Sequence, residues 1–308
     1  MIVFKEQKDI NKKKWDACIS NSSSPSIFVY SWYLDIVCTN WGALVLGDYD
    51  AVFPLAPKIK YKIHYLYQPF FTRYFGVFSK SEIRSNITAD FFNAIPPQFK
   101  YIEFCLQEEI NFKSAAFVLL EKKFQLLDLN QKYETIQKNF SDNSRRNVKK
   151  AIKAGLKIQP DISPDKIVNL FKITKGNELE IFNLDDYKIL IALMNKCNDL
   201  NKGQSIAVYD GDQLCAAAFF MFNGNRFTFL KSGVTNEGKS KGAMHLLFDY
   251  FIRVNAEKKY QLDFGGSSVE NVARFYKNFG AKDCVYLQVK QNNLPKIVQW
   301  VKSLKKKM

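Results

Sequence analysis

Arg226-Phe-Thr-Phe-Leu-Lys-Ser-Gly-Val234 runs on into Thr235-Asn-Glu-Gly-Lys-Ser-Lys-Gly-Ala243, and after a long apolar segment come Tyr260-Gln-Leu-Asp-Phe264 and Phe275-Tyr-Lys-Asn-Phe-Gly280. Periodicity predicts a strand over Arg226 to Val234 and a basic, glycine-containing loop over Val234 to Ala243. A helix of about Lys239 to Glu257, a strand Tyr260 to Phe264, a helix Val269 to Asn278 and a strand Lys282 to Lys290 follow. A loop of this kind entering a helix aims backbone N–H groups and the positive dipole end at one spot, an arrangement that holds a pyrophosphate. Val234, Lys239, Lys241, Gly242 and Ala243 are the candidates there. The same residues also read as an ordinary capped helix.

Upstream, Asp210-Gly-Asp212 and Asn223-Gly-Asn225 separate three alternating runs, Gln204 to Tyr209, Gln213 to Phe222 and Arg226 to Val234. Such pairs between strands are hairpin signals, so an antiparallel unit is expected. Helices are expected near Pro164 to Lys175 and Asp185 to Leu200. Ser141 to Gly155 reads as a helix opened by Ser141 or Asp142 and closed by Gly155. Val148 and Ile152 would pack, while Arg145, Arg146, Lys149, Lys150 and Lys153 cover the rest with no acid among them. That face is either a solvated surface, a phosphate site through Arg145 and Lys149, or an RNA contact.

The first half opens with a strand at Ile2 to Glu6 and helices near Lys12 to Ser20 and Ser31 to Asn40. Runs at Ala43 to Gly47, Ala51 to Lys60 and His64 to Gln68 then suit a β-meander. A helix near Thr88 to Ala94 and strands near Tyr101 to Cys105 and Ala116 to Leu127 complete an α/β (α+β) texture, which excludes a helical bundle.

The chain has 308 residues, a prior of about two domains, and carries 45 Lys+Arg against 30 Asp+Glu, a net +15. The excess is spread over both halves and favours a phosphate- or carboxylate-bearing partner. Six cysteines without a CxxC pair, and only His64 and His245 beside them, exclude zinc sites of usual spacing, so no metal is expected. Neither histidine has a nucleophile and acid at triad spacing, which disfavours a Ser or Cys hydrolase. The longest apolar run, Leu214 to Phe222, is too short to span a bilayer, and the charged amino terminus is no signal peptide. A reduced, cytoplasmic protein is expected.

The order of elements and the residues Lys239-Ser-Lys-Gly-Ala243 and Phe275-Tyr276, Gly280-Ala281 resemble the GNAT acyltransferases. That family's loop reads Arg/Gln-x-x-Gly-x-Gly/Ala, with Met244 here where a second small residue is usual. The resemblance implies coenzyme A as carrier of the acyl group and makes Tyr276 the candidate general acid for the leaving group. Set between Phe275 and Phe279, Tyr276 also reads as plain core.

Trp41-Gly-Ala-Leu-Val45, Asp48 to Pro57, Tyr67-Gln-Pro-Phe-Phe-Thr-Arg-Tyr-Phe-Gly-Val-Phe78, Ser144 to Gly155 and Asp263-Phe-Gly-Gly-Ser267 resemble, over nearly the whole chain, the FemAB-like acyltransferases. This implies two tandem GNAT-like domains with mixed, largely antiparallel central sheets: residues 1–140, a basic connecting helix 141–158, and residues 159–308. Gln68, Arg73 and Tyr74 fall where the family's first domain lines a cleft between the two; the aromatic density there equally suits a core. Better-known members transfer amino acids from aminoacyl-tRNA to peptidoglycan precursors. Their Phe-Lys-x-x-Phe-Gly segment has Tyr276 here at the lysine position, with Lys277 one step later, about 100° around the helix. That departure favours an acyl-CoA-like donor.

Asp263, ending a strand before a double glycine, is the candidate base or amine-orienting carboxylate; it also reads as a cap of the Gly265-Gly266 turn. The expected activity is acyl transfer from an activated donor, acyl-CoA before aminoacyl-tRNA, to an amine or hydroxyl of a small or cell-envelope acceptor. Backbone N–H groups near Val234 or Lys239 to Ala243 would meet the oxyanion. A GNAT-like protein without turnover that binds a nucleotide or RNA is the other class. No DNA-binding module is present, and the basic amphipathic tail Leu294 to Met308 reads as packing on the second domain rather than inserting in a membrane.

Overall fold

The computed structural model describes residues 1–81, 85–107, 114–176, 179, 181–266 and 269–295. The chain divides into two units, Met1–Lys122 with the stretch from Tyr286 onward, and Lys123–Val285.

In the first unit β1 (Ile2–Glu6) pairs antiparallel with β2 (Gly42–Leu46), and β2 with β3 (Ala51–Leu55). Between β1 and β2 lie helices α1 (Lys12–Ser20), opened by the Asn11 side chain accepting from the Lys14 N–H, and α2 (Ser31–Val37). The run expected as one strand, Ala51 to Lys60, is two. It breaks at the buried Ala56, after which β4 (Pro57–Lys60) pairs with β5 (Ile63–Leu66) in a different sheet. β6 (Phe78–Ser79) pairs with β3, α3 spans Ser85–Asn93, and β7 (Phe99–Leu106) runs parallel to β5. The core is aromatic: Trp15 meets Trp41 at 5.0 Å between ring centroids, and Phe53 touches Phe91, Phe92 and Phe104.

The second unit takes up β8 (Val118–Asp128) and reaches α4 (Tyr133–Lys138), a helix the sequence did not announce. α5 (Asp142–Lys153) is opened by the Ser141 hydroxyl accepting from the Ser144 N–H, and Gly155 follows it at φ 73°. Its buried stripe is Ser144, Val148 and Ala151. Ile152, expected to pack, is 58% exposed; one step past Ala151 turns its side chain by about 100° away from the core. β9 (Lys157–Pro160), α6 (Pro164–Phe171) with a π-helical turn at Lys172–Gly176, and α7 (Leu184–Asp199) come next.

β10 (Gly203–Asp210), β11 (Gln213–Asn223) and β12 (Arg226–Val234) form the expected meander, with Gly211 and Gly224 at positive φ in its turns. The long helix expected from Lys239 is jointed. α8 (Asn236–Lys241) ends at Gly242, φ 81°, and α9 (Ala243–Asn255) starts there in a new direction. β13 (Gln261–Asp263), α10 (Glu270–Lys277) and β14 (Lys282–Asn292) close the order. Strands of the second unit run β8-β13-β12-β11-β10-β9, with β12 and β13 the parallel pair in an otherwise antiparallel set. Residues Leu287–Asn292 of β14 pair with β7 in the first unit. Phe220, Phe227, Phe248, Phe251, Phe264 and Phe279 anchor the second core, and Phe220 stacks on Phe251 at 3.8 Å. Most of the expected tail, 296–308, lies outside the described residues.

Candidate active site

β12 and β13 part company early. They pair in parallel over Arg226–Thr228 against Gln261–Asp263, and β12 then continues to Val234 with no described strand on that edge. The cause is a bulge. Phe219 of β11 faces Lys231 while the next residue, Phe220, faces Phe229, so Leu230 is extra and the strand twists away. On the other side Gly265, at φ 86°, turns the chain after Asp263; a Cβ there would lie 3.9 Å from the Phe229 carbonyl oxygen. The result is a wedge whose wall is a strand edge with no described strand beside it, able to hydrogen-bond a carbonyl or amide of a ligand.

Two chemistries face this wedge from opposite sides of the sheet. Phe227, Phe229, Leu262 and Phe264 point toward α9 and α10, where Tyr276 stacks on Phe264 at 4.9 Å and meets Phe229 at 6.1 Å. Asp263 alternates between Leu262 and Phe264 and therefore points the other way. It is fully buried, its Oδ1 accepts the Gly265 N–H at 2.9 Å, and the Arg226 guanidinium lies 3.8 Å from its Oδ2. Lys231 shares that face, being the cross-strand partner of Phe219 rather than Phe220. Its ammonium sits 4.5 Å from the Phe171 ring and 5.0 Å from that of Phe182, and burial pushes its pKa down to about 8. α6 lies directly on the strand: a Cβ on Gly233 would sit 2.6 Å from the Phe171 backbone nitrogen. The structure thus brings Lys231 and Asp263 to one face and sets Tyr276 on the other.

Sequence reasoning missed Lys231. A signal was available: it is the lone charge inside Phe227-Thr-Phe-Leu-Lys-Ser-Gly-Val234, where strand alternation calls for nothing charged.

The segment after Val234 is folded rather than open. The Thr235 hydroxyl accepts the Gly238 N–H, Lys239 N–H donates to the Thr235 carbonyl, and Gly242 N–H donates to that of Lys239. Lys241 is held by Asp210 and by Glu237 at 3.0 Å, hydrogen bonds that raise its pKa, and Lys239 reaches Asn236. Gly242 and the buried Ala243 abut α5, since a Cβ on Gly242 would lie 2.5 Å from the Asn147 carbonyl oxygen. His245, one turn into α9, packs on Phe275 and Phe279, and burial lowers its pKa to about 4.

On α5, Arg145 is engaged by Asp142 and the Lys138 carbonyl, whereas Lys149 is exposed and carries no ion pair among the described residues. Lys277 turns away from Tyr276 to Asp283 at 3.4 Å. In the first unit, Gln68 ties its own loop down, accepting the Cys105 N–H and donating to the Thr72 carbonyl. Arg73 lies over the Tyr74 and Tyr286 rings, and Tyr74 is buried against Phe28. No helix among the described residues is long and apolar enough to cross a membrane, and none of their His, Cys, Asp and Glu side chains cluster to hold a metal.

Residues 140–278 match the family model described as an acetyltransferase (GNAT) domain. No curated protein matches the chain in sequence. Among solved structures, FemX matches with a TM-score of 0.65 at 13% identity, over 93% of this chain and 96% of FemX. A tandem GNAT protein from the clavulanic acid biosynthesis pathway matches with a TM-score of 0.56 at 11% identity, over 96% of this chain and all (100%) of that one. The C-terminal domain assigned to a lysylphosphatidylglycerol synthetase of Agrobacterium fabrum gives 0.59 at 10% identity, over 91% of this chain and 92% of that domain. What is shared at such identities is the fold, tandem GNAT with mixed, largely antiparallel sheets.

Proposed function

We propose that this chain, a FemAB-like acyltransferase of tandem GNAT fold, moves an aminoacyl group from the ester of an aminoacyl-tRNA to an amine of a small or envelope-related acceptor. The observation that carries the donor choice is the Asn147–Gly242 approach. With α5 backbone against the joint, and the amides of Gly238, Lys239 and Gly242 donated inward, the segment offers little to a coenzyme A pyrophosphate. A fold shared with FemX and with a domain assigned to lysylphosphatidylglycerol synthesis agrees with this reading. A coenzyme A thioester is the second reading, favoured by the match of residues 140–278 to the acetyltransferase domain.

In either case the carbonyl lies in the wedge against the edge of β12 beyond Thr228, whose N–H groups meet the developing oxyanion. The amine attacks from the face of Asp263 and Lys231. The acceptor attacks as its neutral amine: the C–N bond forms, and the proton it loses passes to one of these groups and from there, through solvent, restores Tyr276 after the leaving group has gone. As the C–O bond of the ester breaks, or the C–S bond of a thioester in the second reading, Tyr276 on the opposite face gives its proton to the leaving oxygen or sulfur. The test supplies charged tRNA and, separately, acyl-CoA, each with an amine panel read by mass spectrometry. Amide formed from charged tRNA supports the proposal; amide formed from acyl-CoA alone overturns its donor.

A further inference from the structure

We infer that the outer face of α5 is a docking surface for the phosphate backbone of the RNA that carries the donor ester. The inference rests on the aminoacyl-tRNA reading and names the surface by which that donor is held. Arg146, Lys149, Lys150 and Lys153 are all exposed, and no ion pair engages them among the described residues. They recur at i, i+3, i+4 and i+7, so they form one stripe about 10 Å long at 1.5 Å per residue. The only acid on the helix, Asp142, is a turn away and pairs with Arg145. Lys157, on β9 just after the helix, is exposed as well.

The stripe is rigidly placed. Ser144, Val148 and Ala151 bury the opposite side of α5 in the second core, and the Asn147 carbonyl wedges against Gly242 at the start of α9. The charged face therefore begins beside the α8–α9 joint, with Arg146 next to Asn147, and is held there as a fixed surface on which a polyanionic carrier can grip. Unpaired, evenly spaced cations on a rigid element release counterions from a phosphate chain without first breaking ion pairs of their own. A membrane surface fits less well. The apolar side of α5 is consumed by packing, leaving Ile152 as its exposed apolar side chain, too little to insert among lipids.

The test measures binding of fluorophore-labelled, deacylated tRNA by anisotropy across a salt series. Wild type is compared with the quadruple variant Arg146→Gln, Lys149→Gln, Lys150→Gln, Lys153→Gln. The variant should bind roughly tenfold or more weakly near 0.1 M salt, and the slope of log K against log salt should fall by about 3. Lys149→Arg with Lys150→Arg and Lys153→Arg keeps the charge and should keep the affinity. An unchanged thermal midpoint shows that the quadruple variant is folded. Equal tRNA binding by wild type and a folded quadruple variant overturns the surface, as does no tRNA binding by wild type. So does a loss confined to phosphatidylglycerol vesicles, which would reassign the face to lipid. Docking of tRNA through α5 without aminoacyl transfer sinks the donor reading instead, and transfer indifferent to the four substitutions sinks only the surface.

Discussion

The carbonyl oxygen of Asn147 lies 2.5 Å from where a Cβ on Gly242 would stand. Two constraints meet at that glycine: a left-handed backbone, φ 81°, that breaks α8 from α9, and the close passage of α5. The joint between α8 and α9, set against the basic helix α5, is therefore fixed by the lack of one side chain.

Gly242→Ala should accordingly lower stability by about 2–4 kcal/mol, combining the left-handed penalty for a non-glycine residue with the displacement of α5 backbone. Urea unfolding measures it. A loss below about 1 kcal/mol would mean that α5 yields freely at this point and that the joint is not rigid.

Tyr276→Phe keeps the ring that stacks on Phe264 at 4.9 Å, so the folded state should lose no more than about 1 kcal/mol. Turnover should fall by about 100-fold with little change in KM, because only the proton for the leaving group is removed. Comparing kcat, KM and the thermal midpoint separates the outcomes; unchanged kcat would strip Tyr276 of its acid role and leave it as core.

The fold was legible because its signals are local. The two Gly turns of the β10–β12 meander, the Ser141 cap of α5 and the alternation of β12 are written in adjacent residues. What escaped depends on partners distant in sequence. The break at Ala56 follows from two sheets competing for one run, and the joint at Gly242 from Asn147 of another helix. For the site, Asp263 and Tyr276 were visible as residue types, but the place of Lys231 on the Asp263 face follows from a bulge that only the pairing of Phe219 with Lys231 discloses.

His245 is kept neutral by burial against Phe275 and Phe279, its pKa lowered from 6.5 to about 4. Its folded value lies below its unfolded one, so stability is full above about pH 6.5 and is lost as pH falls toward 4, where the unfolded chain takes the proton first. In His245→Leu the unfolding free energy read from urea titrations should decline less between pH 6.5 and 4, by roughly 1–3 kcal/mol relative to wild type. Parallel pH profiles for the two proteins would show that His245 is charged or paired in the folded state.

Lys231 carries the remaining test, because stability and rate must move together. Its folded pKa of about 8 lies below the unfolded 10.5, the cause being burial beside Phe171 and Phe182. At pH 7 both states hold the proton and the folded state bears the whole cost of a desolvated ammonium. Between pH 8 and 10.5 the folded state sheds the proton first, so stability rises with pH. Lys231→Met should therefore unfold at higher urea than wild type at pH 7, with the advantage vanishing toward pH 10.5. If the neutral amine takes the proton of the attacking acceptor, wild-type kcat/KM rises through pH 8, and the variant loses both that limb and most of its rate. A variant that is less stable at pH 7 would show the ammonium held by a counter-charge, and one that keeps the limb would show that Lys231 does not take the acceptor's proton.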